Sequence, residues 1–315
     1  HQSLQVAVPS PEAIAQHRYA LRKRLAADAQ ARWGEMSVYI QRKANLLVEA
    51  SPYQTGRLGP RKNLLQSLHA ADRLLVLGEP GSGKSVSLER LAWELCEAPD
   101  SPLPVLVRLF RYDGTPLIEW VLGQLREAGC LHIDDERSFA AFLNKSTTRC
   151  FFLFDGLNEV PPDYREELVI ALAQWMRSYP RHPVALTSRL EDELWRELRE
   201  EVKQALVVQP VGDDEARRYL ADHQKEQNAV VYKQLGEQLG RVANTPLVLW
   251  LIKDTEITPR ALPRNTWELY AHYVSRLLGH NTDQWSDVEF SPQAKQRALS
   301  ILAYYLDKQR RLFCS

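Results

Sequence analysis

No apolar run in this chain approaches the ~18 residues that a membrane-spanning helix requires. The longest candidates are "FFLF" and "PLVLWLI", so no membrane span and no membrane partner are expected. The N-terminus, "HQSLQVAVPSPEA", has neither the basic start nor the apolar centre of a secretory leader. Net charge is missing too: 40 Lys and Arg balance 40 Asp and Glu, so no global field draws the chain to nucleic acid or to an acidic lipid surface. Cysteine is sparse. Cys96, Cys130, Cys150 and Cys314 show no CxxC and no nearby His at metal spacing, which reads as reduced packing thiols in a cytoplasmic protein. The eight His residues form no HExxH pair, and no serine sits in a G-x-S-x-G elbow, which argues against a zinc site and a hydrolase triad. Internal repeats and low-complexity tracts are absent.

What is present suits a globular chain of two compact units: 315 residues, 44% hydrophobic and 25% charged. Residues 1–70 read as a mostly helical lead-in, interrupted by the turn-rich "SPYQTGRLGP". Within it "HRYALRKRLAADAQAR" is a basic helix, for which a solvated face is a simpler reading than a partner or nucleic acid. From residue 73 short apolar runs ("RLLVL", "LPVLVRL", "CFFLF", "PVALT", "ALVV") alternate with amphipathic stretches. That alternation predicts a parallel sheet covered by helices on both faces, an α/β three-layer domain over 71–210. After Pro210 only helical spacing remains, so a helical subdomain is expected over 211–282. In "TWELYAHYVSRLLG", Trp267, Tyr270, Val274 and Leu277 fall on one face. A last helix opens at Pro292, capped by Ser291. Trp93, Trp175 and Trp250 read as core residues.

"GEPGSGKS" matches the phosphate-loop pattern G-x-x-x-x-G-K-[ST], between the strand "RLLVL" and the helix "SVSLERLAWELC". Gly78, Glu79, Pro80, Gly81, Ser82, Gly83, Lys84, Ser85 and Val86 are therefore the expected nucleotide-binding residues. Glycines there let successive N–H groups converge on phosphate oxygens. The Lys84 ammonium would reach the β and γ phosphates, the Ser85 hydroxyl would hold Mg²⁺, and the helix N-terminus adds partial positive charge.

Further on, "FFLFDGLNEV" ends an apolar strand in Asp155, at the carboxyl edge where parallel sheets bind ligands. Asp155 is expected to hold Mg²⁺ through a water, opposite Ser85. Of the polar residues that follow, Glu159 is the candidate for polarising an attacking water. Asn158 would hold that water or the γ phosphate, since an amide orients water without taking its proton. "PVALTSR" then brings Thr187, Ser188 and Arg189 to another strand end. The Arg189 guanidinium is placed to sense the γ phosphate, or else pairs with the acidic run Glu191 to Glu193.

With these motifs in order, the chain resembles the NACHT family of signal-transducing P-loop NTPases, the STAND class. The matching text is "LLVLGEPGSGKS", "FFLFDGLNEV", "VALTSR", "VVQPVGDDEARRYL", "NTPLVLWLI" and "LPRNTWELYAHYVSRLL". The resemblance implies a nucleotide-binding domain, a helical subdomain and the beginning of a winged-helix domain over 283–315. It implies ATP and ADP as ligands with Mg²⁺, and slow ATP hydrolysis. It further implies an ADP-closed state that opens on exchange for ATP and drives self-association, with sensor or effector domains elsewhere and a role in immune or anti-phage defence. Pro246 of "NTP" would lie against the adenine, while on its own terms it reads as a first-turn helix proline. Two departures stand out: Asn158 where the family often has Asp, and Leu190 where it often has Pro. The family's winged-helix histidine would fall beyond Ser315, and the chain reads as part of a larger protein. The resemblance is the main ground for favouring ATP over GTP, and "NKST" at 144–147, which lacks the Asp that guanine recognition uses, points the same way. Two other functions stay open: a non-hydrolytic nucleotide-binding assembly module, motivated by Asn158, and an AAA-type motor.

Overall fold

The computed structural model describes residues 9–33, 42–48, 57–127, 133, 135–221, 226–254, 262–265 and 268. Expectations for Trp267, the helix opening at Pro292, the winged-helix segment, Cys130 and Cys314 lie outside these residues. The chain divides into two compact units, His1–Gln209 and Pro210–Ser315.

The first unit is built on a seven-stranded sheet. Five strands are parallel: β3 (Arg73–Leu77), β4 (Leu103–Arg108), β5 (Cys150–Asp155), β6 (Val184–Ser188) and β7 (Gln204–Val208). They lie in the order β7-β3-β6-β5-β4, so β6 separates the strand before the phosphate loop from the strand that ends in Asp155. Each apolar run is buried on both faces, and its residues divide by parity as a period of two requires. Leu74, Val76, Phe151 and Leu153 pack on the side of α1 (Pro11–Trp33), α2 (Leu64–Ala70) and α3 (Lys84–Glu97). Leu75, Leu77, Phe152 and Phe154 pack on the side of α4 (Leu117–Glu127), α5 (Glu136–Lys145) and α6 (Arg165–Ser178). Trp175 anchors that second layer, its ring edge-on to Phe152 with centroids 4.9 Å apart. Trp93 is half-buried and Trp250 buried, in line with core roles.

The mostly helical reading of residues 1–70 leaves out two strands. β1 (Lys43–Val48) and β2 (Arg57–Asn63) extend the sheet, β1 running antiparallel to both β7 and β2. "RLGPRKN" escapes sequence reading because Gly59 and Pro60 depress strand propensity, and β2 is the edge strand, where proline is tolerated.

The basic helix is also corrected: α1 is not simply a solvated helix. His17, Leu21, Leu25 and Ala29, four apart, form a buried stripe, and Arg18 is buried beside it. The Arg18 guanidinium donates to the carbonyls of Leu95 and Ser101, and to Pro99 O at 3.3 Å. Nε2 of His17 bonds Pro104 O at 2.8 Å. Pro104 lies on the edge strand β4, and because Leu103 N turns inward to Arg149 O, the next residue faces outward. Proline there presents no outward N–H, and His17 covers its carbonyl, so this part of the edge offers nothing for strand addition.

In the second unit α7 (Asp213–Ala221), α8 (Glu226–Leu239) and α9 (Pro246–Asp254) bury Leu220, Val231, Leu235, Val248, Leu249 and Ile252. Asn244 joins the segments, donating to Asp213 Oδ1 at 2.9 Å and Val211 O at 3.1 Å, with the Tyr232 hydroxyl 3.0 Å from Asp213 Oδ1. Pro246 is the first residue of α9, and Thr245 Oγ1 accepts from Val248 N at 3.4 Å, so the first-turn reading of this proline holds. Cys150 is a buried free thiol whose pKa burial pushes up to about 12, and Cys96 is free and half-buried. Among the described residues no helix is long and apolar enough to cross a membrane.

Candidate functional site

Strand β3 is buried from Leu74 to Leu77 and releases the chain at the carboxyl edge of the sheet. The loop from Gly78 to Gly83 then turns tightly, Ser82 N donating to Glu79 O at 3.2 Å. Gly78 sits in close quarters: a Cβ there would stand 2.8 Å from Ser82 Oγ, which would have to turn away, and 3.2 Å from Val208 Cβ. Gly83 takes φ 91° as the residue preceding α3, a left-handed conformation that favours glycine. No side chain caps α3. Its first N–H groups are thus left for an anion.

Lys84 opens α3 and folds back along the loop, Nζ donating to Gly78 O at 2.7 Å and Glu79 O at 3.0 Å. Burial, and next the charge of Arg189, hold the Lys84 pKa below the ordinary lysine value, against the pull of Asp155, Glu159 and Glu191. A half-buried ammonium so disfavoured gains from an anion that arrives beside it.

Asp155 sits at the far end of β5 and is 5% exposed. Its Oδ1 accepts from Ser85 Oγ at 2.9 Å and Thr187 Oγ1 at 2.7 Å, and its Oδ2 from Arg108 Nη1 at 2.5 Å. The motif residues Ser85 and Asp155, 70 positions apart, are therefore brought together as the sequence predicts. Thr187 also accepts from Gly156 N at 2.8 Å, so one buried hydroxyl ties β6 to the turn after β5. Arg108 ends β4 in register with Asp155, and its other terminal nitrogen donates to the buried Glu89. Burial works against the Arg108 charge, but Glu89 and Asp155 outweigh it and leave the pKa raised.

Sequence reasoning missed the roles of Thr187, Arg108 and Glu89. The available signals were an arginine ending the apolar run "LPVLVR" and a glutamate four residues after Ser85, hence on the same face of α3.

Beyond Asp155 the chain makes a short 3₁₀ turn, Leu157–Glu159, closed by Glu159 N to Gly156 O at 2.9 Å. Glu159 is exposed as a residue, yet desolvation of its carboxyl and then the charge of Asp155 raise its pKa above 4.5, opposed by Arg189, Lys84 and Arg108. Asn158 is half-buried, and its carbonyl accepts from Arg165 Nη2 at 3.0 Å, which steadies the turn. Arg189 follows β6, half-buried, close enough for its charge to act on Lys84 and Glu159. Among the described residues no ion pair joins it to the acidic run; Glu193 pairs instead with Arg196 at 2.7 Å. Pro246 belongs to the second unit.

The donor set fits a hard divalent cation held beside a nucleotide. A hydroxyl and a single carboxylate converge, with room left in the ligand sphere for phosphate and water, as Mg²⁺ prefers. A cage made by protein alone is not indicated: no cluster of three or more His, Cys, Asp or Glu suited to a metal occurs among the described residues.

A model of the NACHT domain matches residues 72–227. No curated protein matches the chain. Among solved structures, Cdc6p from Pyrobaculum aerophilum is 15% identical, over 70% of this chain and 59% of that one, with a TM-score of 0.37. The chain thus spans about three fifths of the length of that structure. The Thermotoga maritima RuvB Holliday junction branch migration motor is 14% identical, over 73% of this chain and 74% of that one, with a TM-score of 0.32. With its phosphate loop, its buried strand-end aspartate and a family match over that segment, residues 72–227 form a NACHT domain of the P-loop NTPases.

Proposed function

We propose that this chain is a NACHT-type nucleotide switch that binds Mg²⁺ with ATP or ADP, hydrolyses ATP slowly and couples nucleotide state to subdomain opening and self-association. The observation that carries the reading is the convergence of Ser85 Oγ and Thr187 Oγ1 on Asp155 Oδ1, at 2.9 and 2.7 Å, beside a phosphate loop whose lysine is desolvated.

In this reading the loop from Gly78 to Val86 cradles the phosphates, and Lys84 trades its two carbonyl partners for phosphate oxygens. Ser85 and Asp155 hold the metal, Asp155 through a water. Mg²⁺, when bound, supplies charge neutralisation on the β and γ phosphates. Glu159 polarises the attacking water, Asn158 positions it, and Arg189 answers to the γ phosphate. Pro246 packs on the base, the helical unit moves with nucleotide state, and a winged-helix domain begins over 283–315. An immune or anti-phage setting is part of the proposal and rests on the family alone.

The non-hydrolytic alternative draws on Asn158, since an amide in that turn takes no proton. Single-turnover phosphate release separates the two: release above a Lys84→Ala control supports the switch, and none above it despite bound ATP supports a purely structural ligand.

A further inference from the structure

Arg42 lies ahead of the family-matched segment and is 2% exposed. Its Nε donates to Ser82 O, inside the phosphate loop, at 3.0 Å, and its Nη2 donates to Gln209 O. The main chain around it is pinned as well. Leu64 N donates to Arg42 O at 3.0 Å, and Gln209 N donates to Lys43 O at 2.9 Å.

We infer that Arg42 is a positioning residue for phosphate binding, holding the Ser82–Gly83 peptide in its anion-binding orientation and tying that loop to the junction at Gln209. The Ser82–Gly83 peptide is trans and planar, so its carbonyl and its N–H point in opposite directions. A guanidinium on Ser82 O therefore sets the heading of the Gly83 N–H, one of the donors that a phosphate loop turns on its ligand. Gly83, with φ 91° and no Cβ, has a freely adjustable backbone that an external tether must steady. The same tether brings a full positive charge, removed from solvent, next to the anion site, where a buried charge acts with little screening.

The fork of arginine matters. Its separate N–H groups reach Ser82 O and Gln209 O at once, whereas an ammonium is a point charge on a flexible stem. Gln209 is the last residue of the first compact unit. Through Arg42 the last residue of the first unit is thus tied to the phosphate loop. This inference rests on the nucleotide reading above, and adds to it a residue from outside the recognised domain.

The test is a calorimetric titration of Mg²⁺·ADP into wild type, Arg42→Gln, Arg42→Lys and Lys84→Ala, with melting curves of each without nucleotide. Loss of one charge-assisted hydrogen bond to the loop predicts about a ten-fold or greater drop in ADP affinity for Arg42→Gln, with Arg42→Lys recovering part of it. An Arg42→Gln variant that is folded and binds as wild type overturns the inference. An Arg42→Lys variant that binds as tightly as wild type overturns the bridging geometry. If wild type itself does not bind ADP, the nucleotide reading fails and takes this inference with it. Should both substitutions unfold the protein, the unaltered chain still decides. The arginine Nε–H resonance of Arg42 is expected to be protected from exchange and to shift on adding ADP, and a signal that does not move counts against the proposal.

Discussion

Asp155 is held by Ser85, Thr187 and Arg108, and the last two partners make different experiments possible. Thr187→Val keeps the shape of the side chain but strips a buried hydroxyl that serves both Asp155 Oδ1 and Gly156 N. An expected loss of about 1–3 kcal/mol in urea unfolding follows from the unsatisfied amide and carboxylate. Arg108→Met removes the guanidinium that bridges Glu89 and Asp155 and is expected to lower stability in urea unfolding by about 1–3 kcal/mol. Adding Glu89→Leu should return part of that, a coupling that a double-mutant cycle reads directly. Glu159 tests the chemistry rather than the frame. Its raised pKa means that the carboxyl stays protonated to a higher pH than an ordinary glutamate. If Glu159 must be ionised to polarise water, the acidic limb of single-turnover hydrolysis lies above pH 4.5 and disappears in a slow Glu159→Gln variant that still binds ATP. Hydrolysis by Glu159→Gln at the wild-type rate removes Glu159 from this role, and Asn158→Asp is expected to keep or raise the rate.

The helix α1 lends itself to a pH measurement. Burial lowers the His17 pKa from 6.5 to about 4, and its Nδ1 is buried with no hydrogen-bond partner, so the fold keeps the ring neutral. Above pH 6.5 this costs nothing. As pH falls from 6.5 toward 4 the unfolded chain takes up a proton that the folded chain refuses, and stability drops by about 3 kcal/mol over that window. His182 acts in the same direction: Cys150 N donates to its Nδ1 at 2.8 Å, its Nε2 bonds Leu143 O at 2.7 Å, and its pKa is lowered chiefly by burial. Urea midpoints between pH 7 and 4 should therefore fall with acid, and less steeply in His17→Gln. An unchanged slope in that variant contradicts the docking of α1 through His17. At this scale legibility in the sequence follows distance along the chain. The strand, loop and helix around "GEPGSGKS" are contiguous, and the alternation of apolar runs from residue 73 announces the parallel strands. Strand β2 was hidden by Gly59 and Pro60, and the burial of α1 by its charge, since a single stripe of His17, Leu21, Leu25 and Ala29 is enough to dock it.

For the whole molecule, what could not be read was the order of strands. Placing β6 between β3 and β5, and β4 outside them, is what brings Thr187 and Arg108 onto Asp155 from 32 and 47 positions away. The same closure brings Arg42 to Ser82, 40 positions on, and to Gln209, 167 positions on. Local periodicity carries none of that, because it depends on which strand pairs with which. The motif residues were legible for the opposite reason: glycines at left-handed turns, a lysine and a serine opening a helix, and an aspartate ending a buried strand have local causes. Whether this assembly holds a nucleotide is most directly measured by calorimetric titration of ATP, with and without Mg²⁺, into wild type, Lys84→Ala and Asp155→Asn. Wild type is expected to bind ATP, more tightly with Mg²⁺, Lys84→Ala not to bind, and Asp155→Asn to bind without any gain from Mg²⁺. Lys84→Ala binding ATP as tightly as wild type would contradict this expectation.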